Sequence, residues 1–219
     1  MKIIELKETI TASNDRDAEI LRGKLREDKT LLINLMSSPG AGKTTLLERT
    51  IRDIIEKVSI GIIEADVDSD VDAVRLAELG VTAVQAHTDG MCHMDAGMTE
   101  TALKELRSED NDLVFLENVG NLICPAEFDT GAGRNVMILS VPEGDDKPLK
   151  YPLMFTVSDV LLITKTDTMQ VFDFDIGKCI ERVKKLNPDI KIFPLSAKTG
   201  EGTAEWEEWL LNEIKAWQE

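Results

Sequence analysis

Residues 31–45 read LLINLMSSPGAGKTT, and residues 46–57, LLERTIRDIIEK, carry apolar side chains at helical spacing. A continuous apolar run, a glycine-bearing turn and an amphipathic stretch together spell strand–loop–helix. In that setting Ser37-Ser38-Pro39-Gly40-Ala41-Gly42-Lys43-Thr44-Thr45 reads as a phosphate-binding loop. Gly40, Ala41 and Gly42 let the backbone curl until successive N–H groups point inward at phosphate oxygens. Lys43 supplies a mobile positive charge at the β- and γ-phosphates, Thr44 a hydroxyl for Mg²⁺, and Thr45 continues the helix N-terminus, whose partial positive charge adds to the site. Ser37 departs from the strict pattern, which has Gly at that position.

The strand–helix rhythm continues outward from this loop. SIGIIEA (59–65), VTAVQA (81–86), DLVFLEN (112–118), NVMILSV (135–141), DVLLIT (159–164) and IKIFPL (190–195) read as further short buried strands. Segments of 3.6-residue spacing separate them, such as Ile176, Cys179, Ile180, Val183 and Leu186, ended by Asn187-Pro188. The pattern predicts an α/β protein of the P-loop NTPase type, a three-layer αβα sandwich around a mainly parallel twisted sheet. Residues 1–29 are expected to form an N-terminal extension and helix, and 30–219 a P-loop GTPase domain. Within the extension, Ser13 or Asn14 is the expected N-cap, and Ile20, Leu21 and Leu25 the apolar stripe. Trp206, Leu210, Ile214 and Trp217 share one face of a C-terminal helix, expected to pack on the sheet.

Composition bounds the partners. The 219 residues include 25 Lys+Arg and 41 Asp+Glu, a net charge of −16. So acidic a chain is a poor match for nucleic acid, which demands a dense basic surface. Three cysteines are too few and too irregularly spaced for a disulfide scaffold. No apolar run approaches the roughly 18–20 residues of a membrane span, and MKIIELKETI has acids where a signal peptide is apolar. A soluble, cytoplasmic protein with no membrane or nucleic-acid partner is expected.

Two later elements read the base. Thr164-Lys165-Thr166-Asp167 stands where N/T-K-x-D would be, and Ser196-Ala197-Lys198 follows the last strand. The Asp167 carboxylate is suited to accept both N–H groups of the guanine edge, which adenine lacks; an unsatisfied buried group costs about 1–3 kcal/mol. Lys165 would lay its stem along the base, and the Ser-Ala-Lys loop lies near the guanine O6. Together they select GTP over ATP. Asp66 and Glu117 end two other strands and are expected to hold Mg²⁺, directly or through water, beside the γ-phosphate. Lys43, Asp66 and Glu117 are thus the expected catalytic residues, with the Gly120 backbone N–H as γ-phosphate sensor. Asp68, Asp70 and Asp72 crowd the same loop and read as solvated, Asp72 being the best placed to act. No Gln stands ready to position water, so hydrolysis is expected to be slow, about 10⁻⁴–10⁻² s⁻¹.

Cys92, His93 and Cys124 are the remaining chemical residues. Their spacing is not C-x-x-C, and read by composition alone they are two stray cysteines and a surface histidine. Thiolate plus imidazole nevertheless suits Zn²⁺ or Ni²⁺, with water or a second subunit needed for four ligands. His87 reads as a loop residue, and Cys179, on the apolar stripe of its helix, as core.

Taken together, SSPGAGKTTLLERT, MCHMDAGM, FLENVGNLICPAEFDTGA and SVPEGDDKPLKYPLMFTVSDVLLITKTD resemble the HypB family, the nickel-incorporation GTPases of [NiFe]-hydrogenase maturation. The resemblance spans roughly residues 15 to 219. It implies that Cys92, His93 and Cys124 are metal-binding positions and that metal lies at the interface of a GTP-favoured homodimer. It further implies GTP hydrolysis coupled to nickel transfer to a hydrogenase large subunit, together with a second nickel accessory protein. The Cys-rich N-terminal motif and His-rich tract frequent in that family do not occur here, which points away from tight nickel storage. A urease-type nickel accessory GTPase and a regulatory GTP switch with incidental cysteines are the competing readings. The order of the Cys-His residues and the ENVGNLIC segment argue against the first.

Overall fold

Every one of the apolar runs becomes a strand in the computed structural model: β1 (Leu31–Ser37), β2 (Ile60–Asp66), β3 (Thr82–His87), β4 (Leu113–Glu117), β5 (Arg134–Ser140), β6 (Val160–Thr164) and β7 (Lys191–Pro194). The structure describes residues 6–66, 75–76 and 78–219, apart from the side chains of residues 6–10 and of Asp66. Asp68, Asp70 and Asp72 lie outside the described residues. The strands form one sheet in the order β3-β2-β4-β1-β5-β6-β7, and every pairing is parallel. Strands β1, β4 and β6 are buried along their whole length, as continuous apolar sequence requires of strands covered on both faces. The edge strands β3 and β7 are partly exposed.

Helices among the described residues include α1 (Leu6–Glu27), α2 (Lys43–Ile54), α3 (Ala96–Leu106), α4 (Cys124–Glu127), α5 (Lys147–Lys150), α6 (Pro152–Val157), α7 (Ile176–Leu186) and α8 (Thr203–Gln218). Alternation along β5 and β6 makes two cores. Val136, Ile138, Val160 and Leu162 join one with side chains of α1, α2, α3 and α8. Met137, Leu139, Leu161 and Ile163 join the other with α6 and α7. That is the three-layer αβα architecture, generated by the two-residue period of a strand between helical layers. Trp206, Leu210, Ile214 and Trp217 are buried on α8 as their spacing predicts. Their indoles keep polar partners, Trp206 Nε1 donating to Thr50 Oγ1 (3.1 Å) and Trp217 Nε1 to the Leu25 carbonyl (3.3 Å).

Helix α1 departs from its sequence reading. It is already helical at Leu6, the first described residue, so Ser13 and Asn14 lie within it rather than capping it. Residues 6–14 contain no Pro or Gly to stop the helix, and Asn14 spends its side chain on tertiary bonds described below. Ile20 is exposed, and Ala18 joins Leu21 and Leu25 on the buried face, because the helix docks through its 14-18-21-25 row.

Parallel strands put all their carboxyl ends at one edge. Glu117 lies level with Leu35 of β1 and Glu64 of β2, Asp66 with His87, and Ser140 with Thr164. The loops after β1 through β7 therefore open on one side of the sheet, where ligands bind in α/β folds of this type.

Candidate functional site

The loop after β1 enters α2 through two glycines with positive φ, Gly40 (74°) and Gly42 (100°). A side chain at Gly42 would sit in strained left-handed backbone. Gly42 is the N-cap and offers no side-chain bond to the helix start, so no side-chain cap competes with an anion for the first N–H groups of α2. Ser37, where the strict motif has Gly, is the last residue of β1 and fully buried. Extended backbone needs no glycine, and the hydroxyl is used: it donates to the Ser38 carbonyl (2.7 Å) and accepts from Lys43 Nζ (3.2 Å).

Thr44 Oγ1 donates to Glu117 Oε1 at 3.1 Å. This joins the P-loop helix to the end of β4 and gathers hard oxygen donors at one point, a donor set that fits Mg²⁺. Asp66 closes β2 at the same edge. Beyond Glu117, Gly120 approaches Pro39 so closely that a Cβ there would lie 3.1 Å from the Pro39 backbone. A side chain at 120 would thus have to push the phosphate loop aside by a few tenths of an ångström.

On the other side of the P-loop, a cavity of about 360 Å³ opens between Ala41, Gly42 and Thr45, the Thr164–Thr168 turn and Ser196–Lys198. Its walls are laced together. Thr164 Oγ1 donates to the Ala41 carbonyl (3.0 Å), and Lys165, at φ 60°, reaches across to the Gly40 carbonyl (2.7 Å). Ser196 Oγ donates to Asp167 Oδ1 (2.7 Å) and accepts from the Thr199 N–H (3.2 Å), which fixes the rotation of the carboxylate. Lys165, Asp167, Ser196, Ala197 and Lys198, separate in sequence, therefore share one cavity that continues from the phosphate loop.

Cys92, His93 and Cys124 also come together, their ligand atoms all within 4.8 Å of one another. The two sulfurs are 2.7 Å apart, and His93 Nδ1 lies 3.9 Å from Cys92 Sγ. Cys92 is exposed, while His93 is buried against Phe128, its ring stacked at 3.9 Å and 17°. Burial lowers the His93 pKa against the opposing pull of Asp95 and Glu127, which favours the neutral imidazole that a metal needs. The hydrogen bond from Cys92, and then burial, raise the Cys124 thiol, so a bound metal must displace a proton there. Cys179 is different: it is fully buried, its thiol pushed up to about 12 by desolvation. His87 ends β3 on the surface and is not in the cluster.

A line of amides, Asn34 and Asn118 buried and Asn135 half-buried, not singled out in the sequence, connects the two sites. Asn34 Nδ2 donates to Asn135 Oδ1 (3.0 Å), and Asn118 Nδ2 to Asn34 Oδ1 (3.0 Å). Asn118 Oδ1 then accepts from the N–H groups of Met94 (3.2 Å) and Val119 (2.9 Å). Asn118 is one residue from Glu117, and Met94 one residue from His93. Asn121 Nδ2 adds a bond to the Cys92 carbonyl (3.4 Å). The one local signal was Asn34, a polar residue inside the apolar run of β1.

This fold and these two sites define a P-loop nucleotide-binding protein with a thiol–imidazole cluster beside its phosphate loop. Residues 31–194 match the family described as CobW/HypB/UreG, nucleotide-binding domain. The chain is 45% identical over 209 residues to the hydrogenase maturation factor HypB of Azotobacter chroococcum mcd 1, covering 95% of this chain and 68% of that protein. The crystal structure of HypB from Archaeoglobus fulgidus superposes with a TM-score of 0.87 at 41% identity, covering 93% of this chain and 99% of the other. HypB from Helicobacter pylori, solved in complex with nickel, gives 0.88 at 38% identity, covering 93% and 96%. The chain belongs to the HypB family of hydrogenase maturation factors. Among its described residues, no helix is long and apolar enough to cross a membrane.

Proposed function

We propose that this protein is a cytoplasmic GTP-hydrolysing metallochaperone whose nucleotide state sets the metal affinity of Cys92, His93 and Cys124. The observation that carries the reading is the 117–121 segment. It meets the phosphate loop through Glu117–Thr44 and Gly120–Pro39 and the metal loop through Asn118–Met94 and Asn121–Cys92. A change at the γ-phosphate is therefore felt at both cysteines' loops, as a two-state switch requires.

Guanine would enter the cavity at Asp167, with the phosphates over the N-terminus of α2. Thr44, Asp66 and Glu117 would hold Mg²⁺, which when bound neutralises charge between the β- and γ-phosphates. Lys43 would exchange its bond to Ser37 for the phosphate oxygens, and the Gly120 N–H would hold a γ-oxygen. Water attacks phosphorus, the β–γ bridging bond breaks, and GDP and phosphate leave. The two thiolates and the imidazole suit Ni²⁺ as cargo and accept Zn²⁺ equally on ligand chemistry. Three ligands per chain leave the fourth to water or a second copy, which supports the metal-sharing homodimer. The recipient would be a hydrogenase large subunit, with a second nickel accessory protein as donor or relay; the H. pylori relative, solved in complex with nickel, supports nickel as the cargo.

Phosphate release tests the enzymatic part. Mg²⁺-dependent turnover of GTP but not ATP is expected. Glu117→Gln should slow it about tenfold, the loss of one charged contact of roughly 1.5 kcal/mol. Equal turnover of ATP, or none of GTP, would refute it.

A further inference from the structure

The three proposed metal ligands sit on two segments, the Cys92–His93 loop and the start of α4 at Cys124, and one helix grips both. Asn14, half-buried on α1, donates from Nδ2 to the Asp129 carbonyl (2.9 Å) and accepts at Oδ1 from the Ala96 N–H (3.0 Å). Ala96 is the first residue of α3, three past His93, and its N–H is one of the donors a helix start leaves without an internal partner. The local cap, Asp95, bonds Met98 instead (2.8 Å). Asp129 follows Phe128, the residue on which His93 stacks, and lies five past Cys124. Two turns along the same face, Arg22 clamps the Asp129 carboxylate with both oxygens (2.7 and 2.8 Å) and also holds the Ala132 carbonyl (3.0 Å). Leu21 packs against Gly131, where a Cβ would come within 2.8 Å of it.

We propose that α1 is the alignment element of the metal site, with Asn14 as a positioning residue that fixes the Cys92–His93 loop relative to the Cys124–Phe128 segment. The inference rests on the reading of Cys92, His93 and Cys124 as metal ligands. A rigid ligand set is bound more tightly than one that must be gathered, because the ordering cost is met on folding rather than on binding. Asn14 touches neither nucleotide loop, so its contribution belongs to the metal.

The test uses the full chain with Ni²⁺, followed by calorimetry and by the thiolate-to-nickel charge-transfer band, with a fluorescent GDP analogue in parallel. Asn14→Leu should weaken Ni²⁺ about tenfold or more, the range for supporting partners of metal ligands, and alter the band, while GDP affinity stays within about twofold. Asn14→Asp, which keeps an oxygen for the Ala96 N–H, should fall between. Arg22→Met frees Asp129 and Ala132 but leaves the Asn14–Ala96 bond in place, and should weaken Ni²⁺ without moving GDP, giving an independent arm should Asn14→Leu fold poorly. Wild-type Ni²⁺ affinity and band in both Asn14→Leu and Arg22→Met would overturn the proposal, as would equal losses of Ni²⁺ and GDP. Cys92→Ala in the same assay separates the two levels: if it binds Ni²⁺ like wild type, the site reading falls and the inference with it.

Discussion

Asp167→Asn is expected to lower GTP affinity about a hundredfold and to make xanthosine triphosphate the better ligand. The carboxylate would take two N–H groups from guanine, and hydrogen bonds to a charged partner contribute about 1.5–3 kcal/mol each. Two such bonds correspond to about 10²- to 10⁴-fold. Asp167 lies at the exposed rim of its cavity, where solvent screens the charge, so the lower end applies. An Asn side chain offers one acceptor and one donor, which clashes with a guanine N–H and matches the second carbonyl of xanthine. Ser196 still holds the side chain's rotation through its hydroxyl, so the substitution changes chemistry rather than position. Competition binding against GDP, XDP and ADP reads the result directly. Unaltered base preference would remove the guanine assignment.

The second large effect is at the thiols. Cys92→Ala and Cys124→Ala should each weaken Ni²⁺ and Zn²⁺ by roughly a hundredfold. Structural metal sites bind with about 10–16 kcal/mol spread over four ligands, so a lost ligand removes about 3 kcal/mol. Cys179→Ala is the control. Its thiol, buried and pushed up to about 12, stays protonated at neutral pH, so metal binding should not respond. Metal titration of the three variants, with nucleotide affinity measured alongside, checks the assignment.

What the sequence made legible follows from how local each signal is. The strands announced themselves because β1, β4 and β6 are covered on both faces and so read as unbroken apolar runs. The phosphate loop was legible because its chemistry is contiguous, Gly40 through Thr45. The cavity proposed for guanine needed two distant pieces, yet each follows a strand in a parallel sheet, and that topology sends both to the same edge. The N-terminus of α1 was misplaced because a cap preference is local, whereas Asn14 is used across the fold. The Cys–His–Cys cluster could not be derived from spacing, since Cys92 and Cys124 stand 32 positions apart on segments that meet only in three dimensions. The Asn135–Asn34–Asn118 line left one trace, a polar residue in an apolar strand. A buried amide in such a place must find partners; Asn34 found the side chains of Asn135 and Asn118, and Asn118 in turn meets the Met94 N–H beside His93.

The central claim is that nucleotide state and metal affinity are coupled, and one titration tests it. Ni²⁺ is titrated into the Mg²⁺-loaded wild-type protein with GDP and, separately, with a non-hydrolysable GTP analogue. The account predicts affinities differing at least about tenfold, a coupling of roughly 1.4 kcal/mol, with the same factor appearing when nucleotide is titrated at fixed Ni²⁺. Identical Ni²⁺ affinity in the two nucleotide states, with both cysteines intact and reduced, would contradict it.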